Sequence, residues 1–289
     1  MALSLDLMKC LDCKPSKLSF VYFQIFFMPE LPEVEIMRRY FNECALDKSI
    51  TQLDFLDELG KVYKSPPELI EKSLVGQRFT ETERIGKYLF ARISTGQYLH
   101  LHFGMTGNLE LFQGDNLPKY ARLVFHFEKG DRLAFCDLRK FGVIEIVDNP
   151  QAYQKAAKIG DDFLKISFDY FKVKLSKPAV AIKTSLLNQK LFAGIGNWIA
   201  DEMLFDAGLH PLRISKNLSE AELAKLYQAG QEIITTAIAE DTHYGDFPAE
   251  FFVNYRKVDA LHPSHPNSPV ERLVVGGRGT FIVPEKQML

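Results

Sequence analysis

The spacing of apolar residues changes once along this chain, and that change limits the folds it can adopt. Between residues 87 and 147 apolar and polar residues alternate, as where Leu99, Leu101 and Phe103 flank two histidines. A period of two places alternate side chains on opposite faces of a β-strand. After Asn149-Pro150 the period becomes helical. The sequence therefore predicts a β-rich unit followed by a helical unit.

A helix should precede the β-rich unit, because Val34, Met37, Phe41 and Ala45 recur at helical spacing behind Pro32, a residue suited to a first helical turn. The predicted strands cover residues 87–93, 99–103, 107–112, 123–127, 132–137 and 142–147. The predicted helices cover about residues 151–158, 179–188, 196–207 and 219–240. These elements predict an α+β fold of two domains, whose first domain is a two-sheet or barrel-like β unit entered through a helix.

The tail of the chain returns to strands in this prediction. They lie at residues 251–257 and 271–275, and the second pairs with residues 280–283. The stretch Gly276-Gly277-Arg278-Gly279 between the last two is a glycine-rich hairpin turn, which we expect to carry Arg278 at its tip.

Composition and charge argue against a strongly basic protein, a disulfide-bonded protein and a membrane-spanning protein. The 289 residues carry a net charge of −2, so the chain as a whole is not basic. Six lysines nevertheless fall between residues 165 and 190, namely Lys165, Lys172, Lys174, Lys177, Lys183 and Lys190. Such a strip is compatible with nucleic acid, although a solvated lysine face is the commoner meaning. The four cysteines are typical of free thiols in a reducing compartment, and the apolar run at 18–28 is too short to span a bilayer.

The segment Met28-Pro29-Glu30 can carry covalent chemistry. Removal of Met28 would expose Pro29 as an N-terminal secondary amine, and a free α-amine with a pKa near ~8 keeps a reactive neutral fraction at physiological pH. Such an amine can attack a sugar C1′ and form an iminium ion, which draws electrons during elimination. Glu30 beside it could protonate the sugar oxygen. Taken alone, the segment is equally well explained as a helix-capping Pro-Glu cluster.

Seven motifs in series decide between these readings. They are Pro29-Glu30-Leu31-Pro32-Glu33-Val34-Glu35, Gly86-Lys87-Tyr88-Leu89, His102-Phe103-Gly104-Met105-Thr106-Gly107, Asp137-Leu138-Arg139-Lys140-Phe141-Gly142, Ala181-Ile182-Lys183, Gly194-Ile195-Gly196-Asn197 and Gly276-Gly277-Arg278-Gly279-Thr280-Phe281. In this order and spacing the chain from residue 28 onward resembles the formamidopyrimidine-DNA glycosylase/endonuclease VIII family.

The resemblance implies catalytic roles for Pro29 as nucleophile, Glu30 as acid/base partner, Lys87 as active-site lysine and Arg278 as the arginine that grips phosphates around a flipped nucleotide. Lys87 would open the strand 87–93 at a sheet edge, where an ammonium can neutralise a phosphate. An edge lysine can also be a charge that opposes aggregation, and Arg278 could be a solvated surface residue.

The resemblance also implies DNA-binding residues. Met105, Arg139 and Phe141 resemble the three residues that fill the gap left by an extruded base, a use of apolar wedges seen where bases are unstacked. Met and Phe on strands are more often core residues. Lys183 and Asn197 match phosphate contacts of a helix–two-turn–helix module, although an N-cap role would also explain Asn197.

By the same resemblance the chain divides into four parts. Residues 1–27 are an extension that we expect to be absent from the active protein, and residues 28–150 form the catalytic β-sandwich. Residues 151–250 form the helix–two-turn–helix domain, and residues 251–289 form a β-hairpin finger.

The finger departs from the family pattern of four zinc cysteines. His262, His265, Val283 and Lys286 occupy the four positions, and two ligands do not close a tetrahedral zinc site. We therefore expect a zincless finger and no cofactor. A site built from Cys10, Cys13, His262 and His265 is an arithmetical alternative. Tyr120 and Ala179 stand where the family commonly has histidine and lysine.

These observations predict a monomeric DNA repair glycosylase with AP-lyase activity, acting on damaged double-stranded DNA in the cytoplasm in association with the nucleoid. It would remove oxidised bases through an imine on Pro29 and cut the strand by β,δ-elimination. The alternative is a non-catalytic protein of the same fold that binds lesions, in which Pro29 is internal and acylated. The connection after Glu240 is short, so the choice among 8-oxoguanine, formamidopyrimidines and oxidised pyrimidines stays open.

Overall fold

The computed structural model describes residues 28–57, 59–242 and 247–289, so the prediction about residues 1–27 lies outside the described residues. The helices in this part of the chain are α1 (Leu31–Ala45), α2 (Pro67–Leu74), α3 (Pro150–Ala156), α4 (Phe168–Leu175), α5 (Ile182–Leu186), α6 (Asn197–Ala207) and α7 (Glu220–Ala239). The strands are β1 (Ile50–Phe55), β2 (Phe79–Ile85), β3 (Tyr88–Ile93), β4 (Tyr98–His102), β5 (Gly107–Phe112), β6 (Ala121–Phe127), β7 (Arg132–Asp137), β8 (Val143–Val147), β9 (Asp161–Asp162), β10 (Phe192–Ala193), β11 (Glu271–Val275) and β12 (Arg278–Ile282).

Two four-stranded antiparallel sheets form the first domain. One has the strand order β1-β6-β7-β5 and the other β2-β3-β4-β8. Alternate residues of both sheets, such as Leu101 and Phe135, meet in one buried core. The predicted α+β fold with a β-sandwich entered through a helix is confirmed.

Helix α1 joins the two domains. Its residues Val34, Met37 and Phe41 lie in the core of the sandwich, as their helical spacing predicts. Its first residue, Leu31, instead packs in the core of the second domain. The chain just before α1 is therefore held between the domains.

The second domain is helical and is built on the pairing of α6 with α7. Their apolar faces, which include Trp198, Met203 and Ile234, bury one core with residues of α4 and α5. The predicted helical unit is confirmed, but α5 has five residues where a helix over 179–188 was expected. No helix in the described ranges is long and apolar enough to cross a bilayer.

The strand predicted over residues 251–257 is wrong, because a 3₁₀ turn, Phe252–Tyr255, stands there. The backbone N–H groups of Phe252 and Val253 donate to the carboxylate of Glu202, both at 2.7 Å. A buried carboxylate that collects two successive N–H groups favours a turn over a ladder with a neighbouring strand.

The predicted hairpin of the tail is confirmed, but its turn is tighter than expected. Gly276 and Gly277 both have positive φ angles, 57° and 75°, as a two-residue type I′ turn requires. Arg278 pairs with Val275 and begins β12. The prediction that Arg278 sits at the tip is therefore wrong by one residue, because the two glycines alone form the turn.

Candidate active site

Three segments from both domains meet at the start of α1. The N–H of Leu31 donates to the carbonyl of Gly194 at 3.2 Å. The turn at Gly86 packs against Ala193 so closely that a Cβ on Gly86 would lie 2.6 Å from the Cβ of Ala193. Pro29, which is buried, thus lies where α1, the β2–β3 turn and the loop before α6 converge.

Glu30 binds the N-terminus of α6 across the domain boundary. Its carboxylate accepts hydrogen bonds from the N–H groups of Trp198 at 2.9 Å and Ile199 at 3.2 Å. These are unpaired donors of a first helical turn, where the helix dipole also favours negative charge. Gly196 makes the approach possible, because any Cβ there would overlap the carboxyl group of Glu30.

Burial raises the pKa of the Glu30 carboxyl, while the charge of Lys87 and the two N–H donors oppose that rise. Its side chain is 2% exposed. A raised pKa favours the protonated form of a carboxyl group, and a protonated carboxyl group can donate its proton to a reacting oxygen. Glu30 therefore has the environment expected of a proton donor.

Glu33 places a second carboxyl group beside Glu30. It accepts a hydrogen bond from the N–H of Glu30 at 2.8 Å. Burial, together with the negative charge of Glu30, raises the pKa of Glu33 to about 8. Its other oxygen and the indole N–H of Trp198 are both buried, and the indole opposes the rise in the pKa of Glu33.

Lys87 lies in the turn between β2 and β3 and is half-buried. The strand that follows begins at Tyr88 and lies between β2 and β4, so the predicted position at a sheet edge is wrong. Burial lowers the pKa of the ammonium, and the charges of Glu30 and Glu33 counteract that effect. Lys87 thus belongs to the same electrostatic cluster as the two carboxyl groups.

The finger hairpin is held just after its turn by Lys183 and Asn197. The ammonium of Lys183 donates to Asp201 at 2.5 Å, Thr280 Oγ1 at 2.8 Å and the Gly279 carbonyl at 3.2 Å. An ammonium has three donors, and Lys183 is 0% exposed. In this arrangement all three donors are used within the protein, and the phosphate contact of Lys183 stays a prediction.

Asn197 is the first residue of α6, and Gly196 is the N-cap. The side-chain amide of Asn197 donates to the carbonyl of Gly279 at 3.1 Å. Asn197 therefore reaches the hairpin one residue beyond Arg278, whose side chain is exposed.

Asp201 and Arg256 belong to this network and were missed by the sequence analysis. Asp201 is 0% exposed in its side chain and accepts from Arg256 at 2.9 Å as well as from Lys183. The one available signal was an acidic residue inside the apolar stretch of α6, and nothing in the sequence identified its partners.

Met105, Arg139 and Phe141 lie together on two neighbouring loops. Met105 follows β4 and is half-buried, whereas Arg139 and Phe141 follow β7 and are exposed. The guanidinium of Arg139 lies 4.9 Å from the centroid of the Phe141 ring. The structure thus brings these three predicted residues together, in a group separate from Glu30 and Arg278.

His102 connects the two groups and was not predicted as a site residue. Its ring lies 5.0 Å from that of Tyr88, next to Lys87, and its Nδ1 accepts from the N–H of Gly104 at 3.1 Å. Burial lowers the pKa of His102 to about 4, so the ring is neutral at physiological pH with its hydrogen on Nε2.

The six lysines of the basic strip do not act alike. Lys183 is buried in the network described above, and Lys172 pairs with Glu220 at 3.1 Å. A single phosphate-binding strip over residues 165–190 is therefore not what the structure shows.

The four positions that would hold zinc in the finger do not fit the metal. His262 is 4% exposed, and both ring nitrogens are used: Nε2 donates to the Glu250 carbonyl at 3.0 Å, and Nδ1 accepts from the Ser264 N–H at 3.2 Å. Val283 is buried in a small apolar cluster, and the Lys286 ammonium lies 4.0 Å from the Phe205 ring centroid. Cys10 and Cys13, the alternative ligands, lie outside the described residues.

Comparison with known proteins agrees with this arrangement. Residues 28–144 match the formamidopyrimidine-DNA glycosylase N-terminal domain, and residues 160–247 match the H2TH domain of the same enzyme. A formamidopyrimidine-DNA glycosylase of Arabidopsis thaliana is 30% identical over 91% of this chain and 71% of its own length. One from Listeria innocua is 32% identical over 90% of this chain and 100% of its own.

A solved structure of Lactococcus lactis FPG (MutM) in complex with DNA containing FAPY-dG has a TM-score of 0.81 at 28% identity, and covers 90% of this chain and 100% of that one. The two family models match in the order of the two domains, the two relatives are matched over 71% and 100% of their own length, and the fold is shared. The chain therefore belongs to the formamidopyrimidine-DNA glycosylase family.

Proposed function

We propose that this protein is a DNA repair glycosylase with AP-lyase activity, in which the nitrogen of Pro29 is the nucleophile. The observation that carries the proposal is the setting of Glu30, a buried carboxyl group held on the N-terminus of α6 directly beside Pro29 and near Lys87. The family match begins at residue 28, which supports Met28 as the residue removed to expose Pro29.

The first steps remove the base. Glu30 gives its proton to O4′ of the flipped nucleotide, and the sugar ring opens at C1′. The neutral amine of Pro29 attacks C1′, the departing base takes up the proton that the nitrogen loses, and the nitrogen lone pair forms the C1′=N iminium as the bond between C1′ and the base breaks. Lys87 provides positive charge beside the reacting sugar.

The iminium then draws electrons during strand cleavage. Loss of the C2′ proton expels the 3′ phosphate, and loss of the C4′ proton expels the 5′ phosphate. Water adds to C1′, regenerates the amine and releases an unsaturated aldehyde. Arg278 and Asn197 are proposed to bind the phosphates that flank the nucleotide, since the Asn197 amide binds the carbonyl of Gly279, the residue after Arg278. The gap that the flipped nucleotide leaves in the base stack is proposed to be filled by Met105, Arg139 and Phe141.

Borohydride trapping tests the proposal. The chain beginning at Met28 and the full chain are each incubated with duplexes that contain 8-oxoguanine, a formamidopyrimidine or an oxidised pyrimidine. Reduction of the iminium leaves a stable protein–DNA adduct, which peptide mapping should place on Pro29 of the shorter chain. Pro29→Gly and Glu30→Gln should lose most of the adduct while retaining DNA binding.

Two results would contradict the proposal. An adduct that maps to Lys87 would assign the nucleophile elsewhere. Lesion binding with no adduct from any duplex would favour the non-catalytic alternative.

A further inference from the structure

One buried carboxylate ties together the two loops that carry Met105, Arg139 and Phe141. Asp137 is the last residue of β7, directly opposite Gly107, the first residue of β5. Its side chain is 0% exposed. It therefore stands where the loop after β4 and the loop after β7 run side by side.

Asp137 accepts hydrogen bonds from both loops. Its Oδ1 accepts from the Thr106 hydroxyl at 2.5 Å and from the Arg139 N–H at 3.1 Å, and its Oδ2 accepts from the Gly142 N–H at 2.7 Å. The Arg139 N–H also lies 3.1 Å from Thr106 Oγ1. Thr106 and Asp137 thus form a bridge between residues 31 positions apart in sequence.

The two loops are also in direct contact. Gly104 has a φ of +59°, and a Cβ there would lie 2.5 Å from the backbone carbon of Phe141. Lys140 has a φ of 56° and donates to the buried Asp57 at 2.5 Å. The backbone around the three side chains is therefore fixed at several points before any ligand binds.

We propose that Asp137 and Thr106 are positioning residues, which hold Met105, Arg139 and Phe141 as one preorganised unit for the gap that a flipped nucleotide leaves in the stack. The proposal rests on the lesion-binding function proposed above. Groups held rigidly in their bound geometry lose less conformational freedom on binding, so the bridge should strengthen binding to a gapped stack.

The hydroxyl of Thr106 allows a clean test. Thr106→Val keeps the shape of the side chain and removes the bridging hydroxyl, whereas Thr106→Ser keeps the hydroxyl. The dissociation constant of the full chain is measured by fluorescence anisotropy for a duplex with one tetrahydrofuran abasic analogue, and for the same duplex intact. No amine can open the analogue, so the measurement does not depend on lyase chemistry.

Thr106→Val should weaken binding to the abasic duplex by about tenfold, the effect of losing one hydrogen bond to a charged group. Binding to the intact duplex should not change, because an intact stack has no gap to fill, and Thr106→Ser should bind as the wild type does. Thr82→Val is the matched control, since its half-buried hydroxyl lies 2.6 Å from Asn42, on β2 and outside both loops.

A double-mutant cycle separates positioning from general stability. In a variant with Met105, Arg139 and Phe141 all replaced by alanine, Thr106→Val should change the abasic-duplex constant by less than about twofold. Asp137→Asn should behave as Thr106→Val does, because an amide in either orientation presents its NH₂ group to a backbone or hydroxyl donor.

Three results would overturn the proposal. One is a tenfold loss from Thr106→Val that persists in the triple-alanine background, and another is no loss in the wild-type background. A wild-type chain that binds abasic and intact duplexes equally would instead contradict the proposed function, and this proposal with it.

Discussion

At the scale of single residues, the pairing of Glu30 with Glu33 places two carboxyl groups in one buried turn. The Glu33 carboxyl, whose pKa rises to about 8 through burial and the charge of Glu30, is protonated in the folded protein at neutral pH. In the unfolded chain it would ionise with a pKa near 4.5. The stability linked to this proton is fully present below pH ~4.5 and is lost as the pH rises through about 8.

Glu33→Gln should remove this dependence, because an amide accepts the N–H of Glu30 without binding a proton. We expect the melting temperature of the variant, relative to that of the wild type, to increase as pH rises from ~5 to ~8.5. The increase should be roughly 2–4 °C for each kcal/mol of stability that the wild type loses over this range. Thermal scans across that range measure the difference. Glu202, whose pKa is raised to about 7, is present in both proteins, so its own titration cancels from the difference. A difference that stays constant with pH would show that Glu33 does not hold a proton in the folded state.

Arg278 is the residue whose replacement should affect DNA affinity most directly. Its guanidinium is exposed beside two glycines, where little bulk prevents close approach of a phosphodiester. Arg278→Ala should weaken lesion-duplex binding by roughly one to two decades and make the slope of log affinity against log salt shallower by about one. The melting temperature should hardly change.

Arg272→Ala provides the control for charge. Arg272 is also exposed and lies on the partner strand of the same hairpin, opposite Phe281. The Arg272→Ala variant should retain the wild-type slope of log affinity against log salt. Equal effects of the two substitutions would mean that the hairpin contributes only diffuse positive charge.

At the scale of elements, the finger hairpin is stabilised by packing and by a buried ion network. Phe205, Phe252, Val270 and Val283 form its small core. The His262 ring adds to that core, with its centroid 4.6 Å from that of Phe205. A buried lysine–aspartate–arginine network fastens the second strand to α6. The contacts of Phe205 with Val283, with the His262 ring and with the Lys286 ammonium involve three of the four positions that metal ligands would take.

The purified protein should therefore contain no stoichiometric zinc. Elemental analysis measures the metal content, and thermal scans with and without a chelator should coincide. His262→Ala should lower the melting temperature because a buried ring is removed, while His265→Ala should have the smaller effect. Close to one zinc per chain, lost when both histidines are replaced, would contradict this prediction.

The success of prediction from sequence differed among elements for a physical reason. The alternation over 107–112 and 132–137 fixed β5 and β7 to the residue. Strands β1 and β2 were not predicted, because each contains a shift in register near its start that places two residues opposite one and breaks the period of two. The motifs located Glu30 and Lys87, but the bridge from Asp137 to Thr106 depends on strand pairing that no local pattern reveals.

At the scale of the whole molecule, the proposed proton donor belongs to one domain and its hydrogen-bond donors to the other. Gly196 has an extended backbone that any residue could adopt, with φ −122°. Only the contact with Glu30 requires glycine there. A substitution at residue 196 therefore tests the interdomain contact without adding backbone strain.

Gly196→Ala should displace the Glu30 carboxyl from α6 and lower base excision by at least about 100-fold, the range for losing one preorganised donor at a developing charge. Single-turnover assays measure the excision rate. Gly114→Ala is the control for strain, since its φ is +67° and a Cβ there meets no atom within 4 Å. It should lose some stability and keep its excision rate. Full activity in Gly196→Ala would mean that the cap on α6 is dispensable.

The contacts that seat Glu30 and Leu31 on the second domain are made to main-chain atoms, at residues 194, 198 and 199. Main-chain donors and acceptors are supplied by every sequence, so natural recombination between distant homologues could exchange one domain without breaking this part of the junction. The inherited requirement includes space, and it falls on Gly86, Gly194 and Gly196, where a Cβ would collide with the opposite surface. It also includes one pair of complementary side chains, because the buried Asp162 carboxylate accepts from Arg84 and from the Gly86 N–H across the same boundary. A hybrid gene that keeps those three glycines together with Arg84 and Asp162 should still encode an assembled active centre, even when most residues around it come from different ancestors.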